Sequence, residues 1–260
     1  PAASAVELVH NFSLIHDDIE DNSPLRHGRP TLWKLWGIPQ AINAGDAMFA
    51  IAHLEILRLS NSLSCDVAIQ AATLLQATCL HLTQGQYFDL SYEGRMDITP
   101  DDYWTMIGGK TSALLAACTR LGALAANVDA NRQHQYSEFG RYLGLAFQIQ
   151  DDILGVWGNT EQTGKSAASD LVTGKKSLPV IFGLNHKGAF ASRWSCGAIS
   201  PDEVSHLAEL LDIEGSRAYC TQMAKQYTTQ ALQSLNEAQP QGLAGEALRQ
   251  LAGKLLKRRV

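Results

Sequence analysis

Apolar side chains recur every three or four residues along most of this chain. Leu8, Phe12, Ile15 and Ile19 follow that spacing, which predicts an amphipathic helix near the start of the sequence. The same spacing continues through residues 65–91 without a proline and predicts one long helix there. No segment has the character of a convincing strand, so the pattern predicts an all-α protein.

Prolines, glycines and capping residues divide this pattern into separate helices. The segment Thr99-Pro100-Asp101-Asp102 predicts a helix start, because threonine caps well, proline suits the first turn and acidic side chains complement the helix dipole. We expect this helix to carry Lys110 and to continue past Leu121 in spite of two glycines. The other predicted helices run from Pro30 to Trp36, from Pro39 past Leu59 and over about 129–157, with final helices punctuated by Pro179, Pro201 and Pro240.

The composition fits one folded domain. The chain has 260 residues, 45% of them hydrophobic, and contains no repeat, linker or low-complexity tract. We therefore expect residues 1–260 to form a single helical bundle. Residues 158–176 are rich in Gly, Ser, Thr and Lys, and a polar loop of this length inside a compact domain is often functional.

Charge and cysteine content narrow the class of protein. The net charge is −5 and the only basic cluster is Lys257-Arg258-Arg259, which argues against nucleic acid as a partner. Five dispersed cysteines without a CxxC pair indicate reduced thiols, so we expect a cytoplasmic location. No run of about 18 apolar residues is present, so we expect no membrane span.

Two aspartate clusters carry the strongest chemical signal. In the first cluster, residues 17–21, Asp17 and Asp21 are four apart and therefore project from one face of the predicted helix. The second cluster is Asp151-Asp152, and Asp151 follows an apolar face where an unpaired carboxylate is costly. Neighbouring carboxylates repel, and Mg²⁺ with phosphate oxygens is their natural counterweight.

Basic and polar residues near these clusters fit a diphosphate ligand. Arg26 follows the first cluster in a tight loop and could bind an anion there, because arginine matches phosphate geometry. Lys110 lies in an apolar stretch, where a lysine needs a partner. Gly85, between Gln84 and Gln86 in an apolar helix, permits a close helix approach. The polar loop after the second cluster adds Lys165, Asp170, Lys175 and Lys176.

Together these motifs resemble the trans-isoprenyl diphosphate synthases, which include the farnesyl and geranylgeranyl diphosphate synthases. The resemblance runs from about residue 6 to 185. It implies an isoprenoid synthase helical bundle with a large central cavity, and a homodimer that pairs through long helices such as 65–91 and 100–126. It also implies that an allylic prenyl diphosphate is condensed with isopentenyl diphosphate and that pyrophosphate is released.

The resemblance also implies roles for individual residues. Three Mg²⁺ ions would bind through the two aspartate motifs, and positive side chains would stabilise the leaving pyrophosphate. Thr111 and Gln148 would shield the allylic cation with their dipoles. The residues that match are Asp17, Asp21 and Asp151 for metal, with Asp18 and Asp152 beside them; Lys110, Thr111, Gln148, Lys165 and Lys175 for catalysis; and Arg26, His27, Gln86 and Asp89 for substrate.

Three departures from the family pattern affect these expectations. Gly155 replaces the usual last aspartate of the second motif, and His27 replaces the second arginine of a pair that binds isopentenyl diphosphate. The upstream Gly-Gly-Lys-x-x-Arg segment does not occur in this sequence, so we expect that the N-terminal helices of the family are missing. His10, before the first motif, could still contact that diphosphate.

Product length depends on the residue five positions before the first motif, which is Phe12. In a helix its ring would lie about 7–8 Å below Asp17, which favours a C20 or C15 product over long polyprenyl chains. Two alternatives stay open, a class I terpene cyclase and a non-catalytic regulatory subunit of a prenyl synthase. Lys110-Thr111 and the lysine loop favour chain elongation over both.

Overall fold

The computed structural model describes residues 1–158 and 169–256, and Lys165 lies outside these ranges. Helices form most of the described chain, as the periodicity predicts. The first half contains α1 (Ala2–Glu20), β1 (Leu25–Arg26), β2 (Arg29–Pro30), α2 (Leu32–Trp36), α3 (Ile38–Leu57), a 3-10 turn (Arg58–Asn61), α4 (Cys65–Tyr92), α5 (Pro100–Ile107), a π-helical turn (Gly108–Ser112) and α6 (Ala113–Ala125). The second half contains α7 (Ala130–Trp157), α8 (Ser169–Thr173), α9 (Leu178–His186), α10 (Ala189–Trp194), a 3-10 turn (Pro201–Glu203), α11 (Val204–Ile213), α12 (Ser216–Glu237) and α13 (Gly242–Leu256).

The core is built around α7. This helix packs along α12 on one side and α6 on another, while α1 packs along α3. One apolar cluster joins α1, α3, α4 and α6, and the three others all contain residues of α7. The carboxyl-terminal ends of α1, α4 and α7 meet near the π-helical turn, and this is where the two aspartate clusters lie. The predicted all-α single-domain bundle is confirmed.

The cap that the sequence predicts at Thr99 is present, and α7 has a cap as well. The side chain of Thr99 accepts a hydrogen bond from the backbone N–H of Asp102, and the Asp102 carboxylate accepts one from the backbone of Thr99. Asp129 caps α7 in a similar way. These bonds satisfy N–H groups that have no partner within a helix, and they fix where α5 and α7 begin.

Two local features differ from the expectation. The helix that begins at Pro100 does pass the two glycines, but it does so through the π-helical turn rather than as regular α-helix. A two-residue hairpin, β1 paired with β2, occupies a segment where no strand is expected. Strands of two residues are too short to show an alternating pattern.

The hairpin turn consists of His27 and Gly28. Both have positive φ, 50° and 74°, which matches the turn type that connects tightly paired strands. Glycine adopts such angles without strain, and histidine tolerates them better than most residues. Arg26 lies at the end of β1, directly before this turn, and its side chain faces the first aspartate cluster.

Among the described helices, none is both long and apolar enough to cross a membrane.

Candidate active site

Asp17 and Asp21 share one side of the carboxyl-terminal end of α1, as their spacing predicts. Lys110 from the π-helical turn contacts the Asp89 carboxylate of α4, and its Nζ lies 3.3 Å from Oδ1 of Asp17. Burial alone would lower the pKa of Lys110, but the carboxylates of Asp89 and Asp17 outweigh it and raise the pKa. This lysine therefore stays charged and links α1, α4 and the turn.

Two glycines allow this contact. A Cβ atom on Gly85 would lie 2.1 Å from the backbone nitrogen of Lys110, and one on Gly109 would lie 2.6 Å from the carbonyl oxygen of His81. Such distances are far below van der Waals contact, so α4 and the π-helical turn touch through their backbones. The prediction that Gly85 permits a close approach is confirmed, and the approach brings Lys110 within reach of Asp89.

Arg26 returns from the hairpin to the first cluster, as predicted. Its Nε donates a 2.8 Å hydrogen bond to Oδ1 of Asp18, and its Nη2 lies 3.3 Å from Oδ2 of Asp17. Asp18 is buried, and burial raises the pKa of its carboxyl group against the opposing effect of Arg26. Asp18 thus orients the guanidinium group, while Asp17 stays at the open edge of the pair.

The first cluster is short of positive charge. Burial and the neighbouring Asp17 raise the pKa of Asp21 to about 6. Oδ1 of Asp17 is buried; Lys110 Nζ lies 3.3 Å away as an ion-pair partner, but no described group donates a hydrogen bond to this oxygen. Its coordination is therefore incomplete, and a hard cation would complete it. The residues present therefore fit a magnesium ion.

No group of three or more His, Cys, Asp or Glu side chains in residues 1–158 and 169–256 converges to hold a metal on its own. Magnesium in proteins commonly keeps several waters and shares its ligands with substrate phosphates.

The two aspartates of the second cluster have different environments. Asp151 is exposed, whereas Asp152 is buried. The expectation that Asp151 carries the cost of the apolar face was therefore wrong, because α7 turns by about 100° per residue and places its neighbour inside. Asp151 is left available for a ligand.

Asp152 is fixed by three hydrogen bonds. Its Oδ2 accepts from the Tyr103 hydroxyl at 2.7 Å and from the Leu178 backbone N–H at 2.9 Å, and its Oδ1 accepts from Nε2 of Gln148 at 2.9 Å. Burial raises the pKa of Asp152, while Lys175 and the hydrogen bonds oppose the rise. This carboxylate joins α5, α7 and α9 at the back of the site, which favours a positioning role.

Gln148 links the Asp152 carboxylate to the Thr111 hydroxyl through hydrogen bonds. The Thr111 hydroxyl donates a 2.7 Å hydrogen bond to Oε1 of Gln148, whose amide nitrogen is held by Asp152. The amide is therefore locked in one orientation, and the oxygen of Thr111 keeps lone pairs for another neighbour. The two residues that the resemblance pairs are in contact.

Two consecutive lysines follow α8 and point in different directions. Nζ of Lys175 lies 3.8 Å from Oδ1 of Asp152 and 3.9 Å from Oδ2 of Asp170. Burial would lower the pKa of Lys175, but these carboxylates outweigh it and raise the pKa. Lys176 is buried, donates to the carbonyl of Glu93 at 3.0 Å and lies over the Trp194 ring. Lys176 thus anchors the segment from which Lys175 reaches the site.

The remaining predicted residues have varied positions. Gln86 donates to the Glu20 carboxylate at 2.7 Å and so ties α4 to α1. His10 is exposed on α1, and His27 is exposed in the hairpin turn. The Phe12 ring packs edge-on against the Phe49 ring of α3, with 5.0 Å between their centroids.

Two contributors escape the sequence analysis as site residues. Tyr103 is fully buried and hydrogen-bonds across 49 positions to Asp152, a pairing that no local pattern signals. Glu20 lies inside the first aspartate motif, but its contact with the Gln86 amide depends on the packing of α4 against α1. Asp170, named in the polar loop from the sequence, lies near Lys175 from the short helix α8, which the composition of its segment does not predict.

Comparison with known proteins identifies similar sequences along most of the chain. The sequence profile of a family described as Polyprenyl synthetase matches residues 1–210. The (2E,6E)-farnesyl diphosphate synthase of Mycobacterium bovis is 40% identical over 242 residues, which is 89% of this chain and 66% of that protein. The geranylgeranyl diphosphate synthase of Mycobacterium tuberculosis is 39% identical over 243 residues, which is 92% of this chain and 69% of that protein. The chain thus spans about two thirds of the length of these relatives.

A solved structure agrees with the sequence similarity. The crystal structure of a polyprenyl synthetase from Streptomyces coelicolor A3(2) superimposes with a TM-score of 0.89 at 36% sequence identity. The match covers 98% of this chain and 78% of that one.

Proposed function

The chain belongs to the polyprenyl synthetase family, and on this premise we propose that it is a short-chain trans-prenyltransferase. The reaction joins an allylic prenyl diphosphate to isopentenyl diphosphate and releases pyrophosphate. One observation carries the proposal. Asp17 and Asp21 lie with Lys110 at the meeting point of three helices, and the buried Oδ1 of Asp17 is ion-paired with Lys110 at 3.3 Å but accepts no hydrogen bond from any described residue. This arrangement suits a metal-bound diphosphate better than any neutral ligand.

The metal would be Mg²⁺, held by Asp17 and Asp21 on one side and by Asp151 on the other. When bound, it neutralises the diphosphate charge and stabilises the pyrophosphate that leaves. Three ions are proposed from the family resemblance. Asp18 and Asp152 would position neighbouring side chains rather than bind the metal directly, because their oxygens already accept hydrogen bonds from Arg26 and Gln148.

Positive side chains bind the same diphosphate. Arg26, Lys110 and Lys175 are all charged and converge from three elements, so they stabilise charge that develops on the leaving group. The C1–O bond of the allylic substrate breaks, and its electron pair leaves with pyrophosphate. The alkene of isopentenyl diphosphate then attacks the allylic cation, and a proton is lost to pyrophosphate.

Thr111 and Gln148 protect the cation between these steps. The Gln148 oxygen accepts from the Thr111 hydroxyl and its amide nitrogen is held by Asp152, so the pair would offer fixed dipoles to the cation, and neither group is an activated nucleophile. Exclusion of water completes the protection, since water would capture the cation.

The product is proposed to be geranylgeranyl (C20) or farnesyl (C15) diphosphate. The two mycobacterial relatives carry these two names. On α1, Ser13 lies four residues before Asp17 and shares its face, but its side chain is small. The neighbouring Phe12 is therefore proposed to limit the length of the growing prenyl chain, and its ring packs against Phe49.

We also propose a homodimer that pairs through α4. Ile69, Leu80 and Tyr87 are 61%, 59% and 67% exposed, and their spacing places them along one stripe of this helix. Exposed apolar stripes of this kind mark interaction surfaces. The five cysteines are all free, which supports a cytoplasmic setting.

The decisive experiment incubates the purified protein with isopentenyl diphosphate, Mg²⁺ and, separately, dimethylallyl, geranyl or farnesyl diphosphate. A C15 or C20 diphosphate is expected. Hydrocarbon or alcohol formed without isopentenyl diphosphate would instead indicate a cyclase. No turnover of any substrate would indicate a regulatory subunit and would overturn the proposal.

A further inference from the structure

The last described helix, α13, has apolar residues on both of its sides. On the inner side, Ala252 is buried, and Leu248 and Leu255 pack against the apolar cluster that α7 and α12 form. On the outer side, Leu243 is 86% exposed and Leu251 is 53% exposed. A surface helix of a globular protein usually presents polar residues to solvent, so these two leucines do not follow the usual pattern.

The outer residues of α13 form one stripe. Leu243, Ala247 and Leu251 are four residues apart and Lys254 follows after three more, so the four side chains project from one face of the helix. Ala247 and Lys254 are exposed as well. We call these four residues the outer stripe. It combines apolar side chains with a positive charge, and the one acidic residue of α13, Glu246, lies at its edge.

Two arginines hold the start of α13 in place. Nε and Nη2 of Arg132 donate hydrogen bonds to the carbonyl oxygens of Ala238 and Gln239, at 3.1 Å and 2.9 Å. Nη2 of Arg249 donates to the carbonyl oxygen of Pro240 at 3.2 Å. These bonds fix the turn from which α13 departs. The helix therefore keeps its inner residues on the core and presents the outer stripe to the surroundings.

Charge is distributed unevenly along the chain. Residues 242–260 carry five basic side chains and one acidic side chain, which is a net charge of +4. Because the whole chain carries −5, residues 1–241 carry −9. In the sequence, Lys257-Arg258-Arg259 follow directly after α13 and account for three of the five positive charges. An anionic surface thus attracts this end of the chain and repels the remainder, which sets an orientation.

We propose that the outer stripe of α13 binds the surface of an anionic lipid bilayer. Clusters of Lys and Arg on an amphipathic helix are attracted to anionic headgroups, and leucines on such a helix enter the boundary between headgroups and acyl chains. A stable protein interface takes roughly 20 to 30 residues on each side, far more than this stripe has. The inference uses no residue of the candidate active site and is independent of the proposed function.

Vesicle flotation with the purified protein tests the proposal. Vesicles of phosphatidylglycerol and phosphatidylcholine in equal parts should bind the protein, and pure phosphatidylcholine should bind it at least about 10-fold more weakly. Binding should also weaken as the salt concentration rises, because salt screens exposed charges. Equal binding to both kinds of vesicle would overturn the proposal. Absence of binding would also overturn it and would leave the basic residues with the helix dipole as their partner.

Two variants separate the apolar contribution from the charge. Leu251→Gln should weaken binding to the anionic vesicles about 3- to 30-fold, because an apolar side chain no longer leaves water. Lys254→Gln should weaken it about 3- to 10-fold and reduce its dependence on salt. Ile213→Gln, at a 75% exposed position on α11, and Lys225→Gln, at an exposed position on α12, are the matched controls and should bind like the unaltered protein.

Two further results would contradict the assignment of the stripe. Unchanged binding by Leu251→Gln would mean that the basic residues adsorb without the apolar face. Loss of a larger assembly in Leu251→Gln, measured by sedimentation velocity without vesicles, would assign the stripe to a second copy of this chain. The thermal midpoints of both variants should equal that of the unaltered protein, because the two side chains are exposed, and this distinguishes lost binding from lost folding.

Discussion

At the scale of single residues, the role of each aspartate depends on which partners its carboxylate oxygens already have. Asp17 lies beside Arg26 and Lys110, yet one of its oxygens accepts no hydrogen bond among the described residues. Asp152, in contrast, has both oxygens bound. Two aspartates that look equivalent in sequence therefore differ in function. One is available to a ligand, and the other holds its neighbours in position.

Asp17→Asn should reduce turnover on the order of 10²-fold or more, because it removes a charge that stabilises the metal-bound leaving group. The measurement is kcat with geranyl diphosphate and isopentenyl diphosphate at saturating Mg²⁺. Glu209→Gln, at an exposed position on α11, should leave turnover unchanged. Full activity of Asp17→Asn would contradict the assignment of this residue.

Phe12→Ala should lengthen the product, because it removes the ring that packs against Phe49 beneath the first aspartate cluster. The measurement is chromatographic sizing of the dephosphorylated products with farnesyl diphosphate as primer. Phe182→Ala removes a similar volume from α9 and should not change the product. Unchanged product length in Phe12→Ala would show that its ring belongs only to the core.

At the scale of elements, short helices are joined by polar contacts rather than by propensity alone. Arg193 of α10 lies 2.6 Å from the Glu203 carboxylate, which also accepts hydrogen bonds from the backbone and hydroxyl of Ser200. The guanidinium group and these donors lower the pKa of Glu203 to about 2. A depressed pKa of an acid stabilises the folded state above its ordinary value of 4.5, and that stability is lost as pH falls through 2.

Glu203→Gln should therefore lower the thermal midpoint at pH 7, and its difference from the unaltered protein should shrink between pH 4.5 and pH 2. The measurement is thermal unfolding across that range. Glu209→Gln, at an exposed position on α11, again serves as the control. A constant gap at all pH values would mean that the effect is not electrostatic.

Element boundaries were well predicted where the signal is local. Thr99 marks the start of α5 because its capping partner is only three residues away, and Gly85 marks a close approach because it interrupts an apolar face. The hairpin and the π-helical turn were not predicted. Two-residue strands show no alternation, and the pair Gly108-Gly109 is compatible with either kind of helical turn.

At the scale of the whole molecule, periodicity predicts the bundle but not which distant residues meet. The pairing of Tyr103 with Asp152 depends on how α5 lies across α7, and the contact of Asp170 with Gly155 depends on where α8 returns. Neither position is set by nearby sequence. The sequence analysis placed the cost of burial on Asp151, whereas Asp152 is the buried member of the pair, and this too depends on how α7 packs.

Assembly is the prediction that belongs to this scale. Leu80→Glu places a charge in the middle of the exposed stripe of α4 and should convert the proposed dimer to a monomer, because an unpaired carboxylate opposes burial. Sedimentation velocity gives the mass. Leu243→Glu, at an 86% exposed position on α13, should leave the mass unchanged. A monomeric unaltered protein would contradict the proposed interface.

The π-helical turn at Gly108–Ser112 has a further consequence for how this region tolerates change in length. A turn of this kind holds one more residue than the α-helical turns around it. Each residue after it is therefore rotated by about 100° from the direction it would have in a continuous α-helix. Loss of one residue here would let the backbone close into ordinary helix and carry Lys110 and Thr111 away from their partners. The extra residue thus sets the rotation of α6 relative to α5. Substitutions keep this rotation, whereas deletion of one residue removes it.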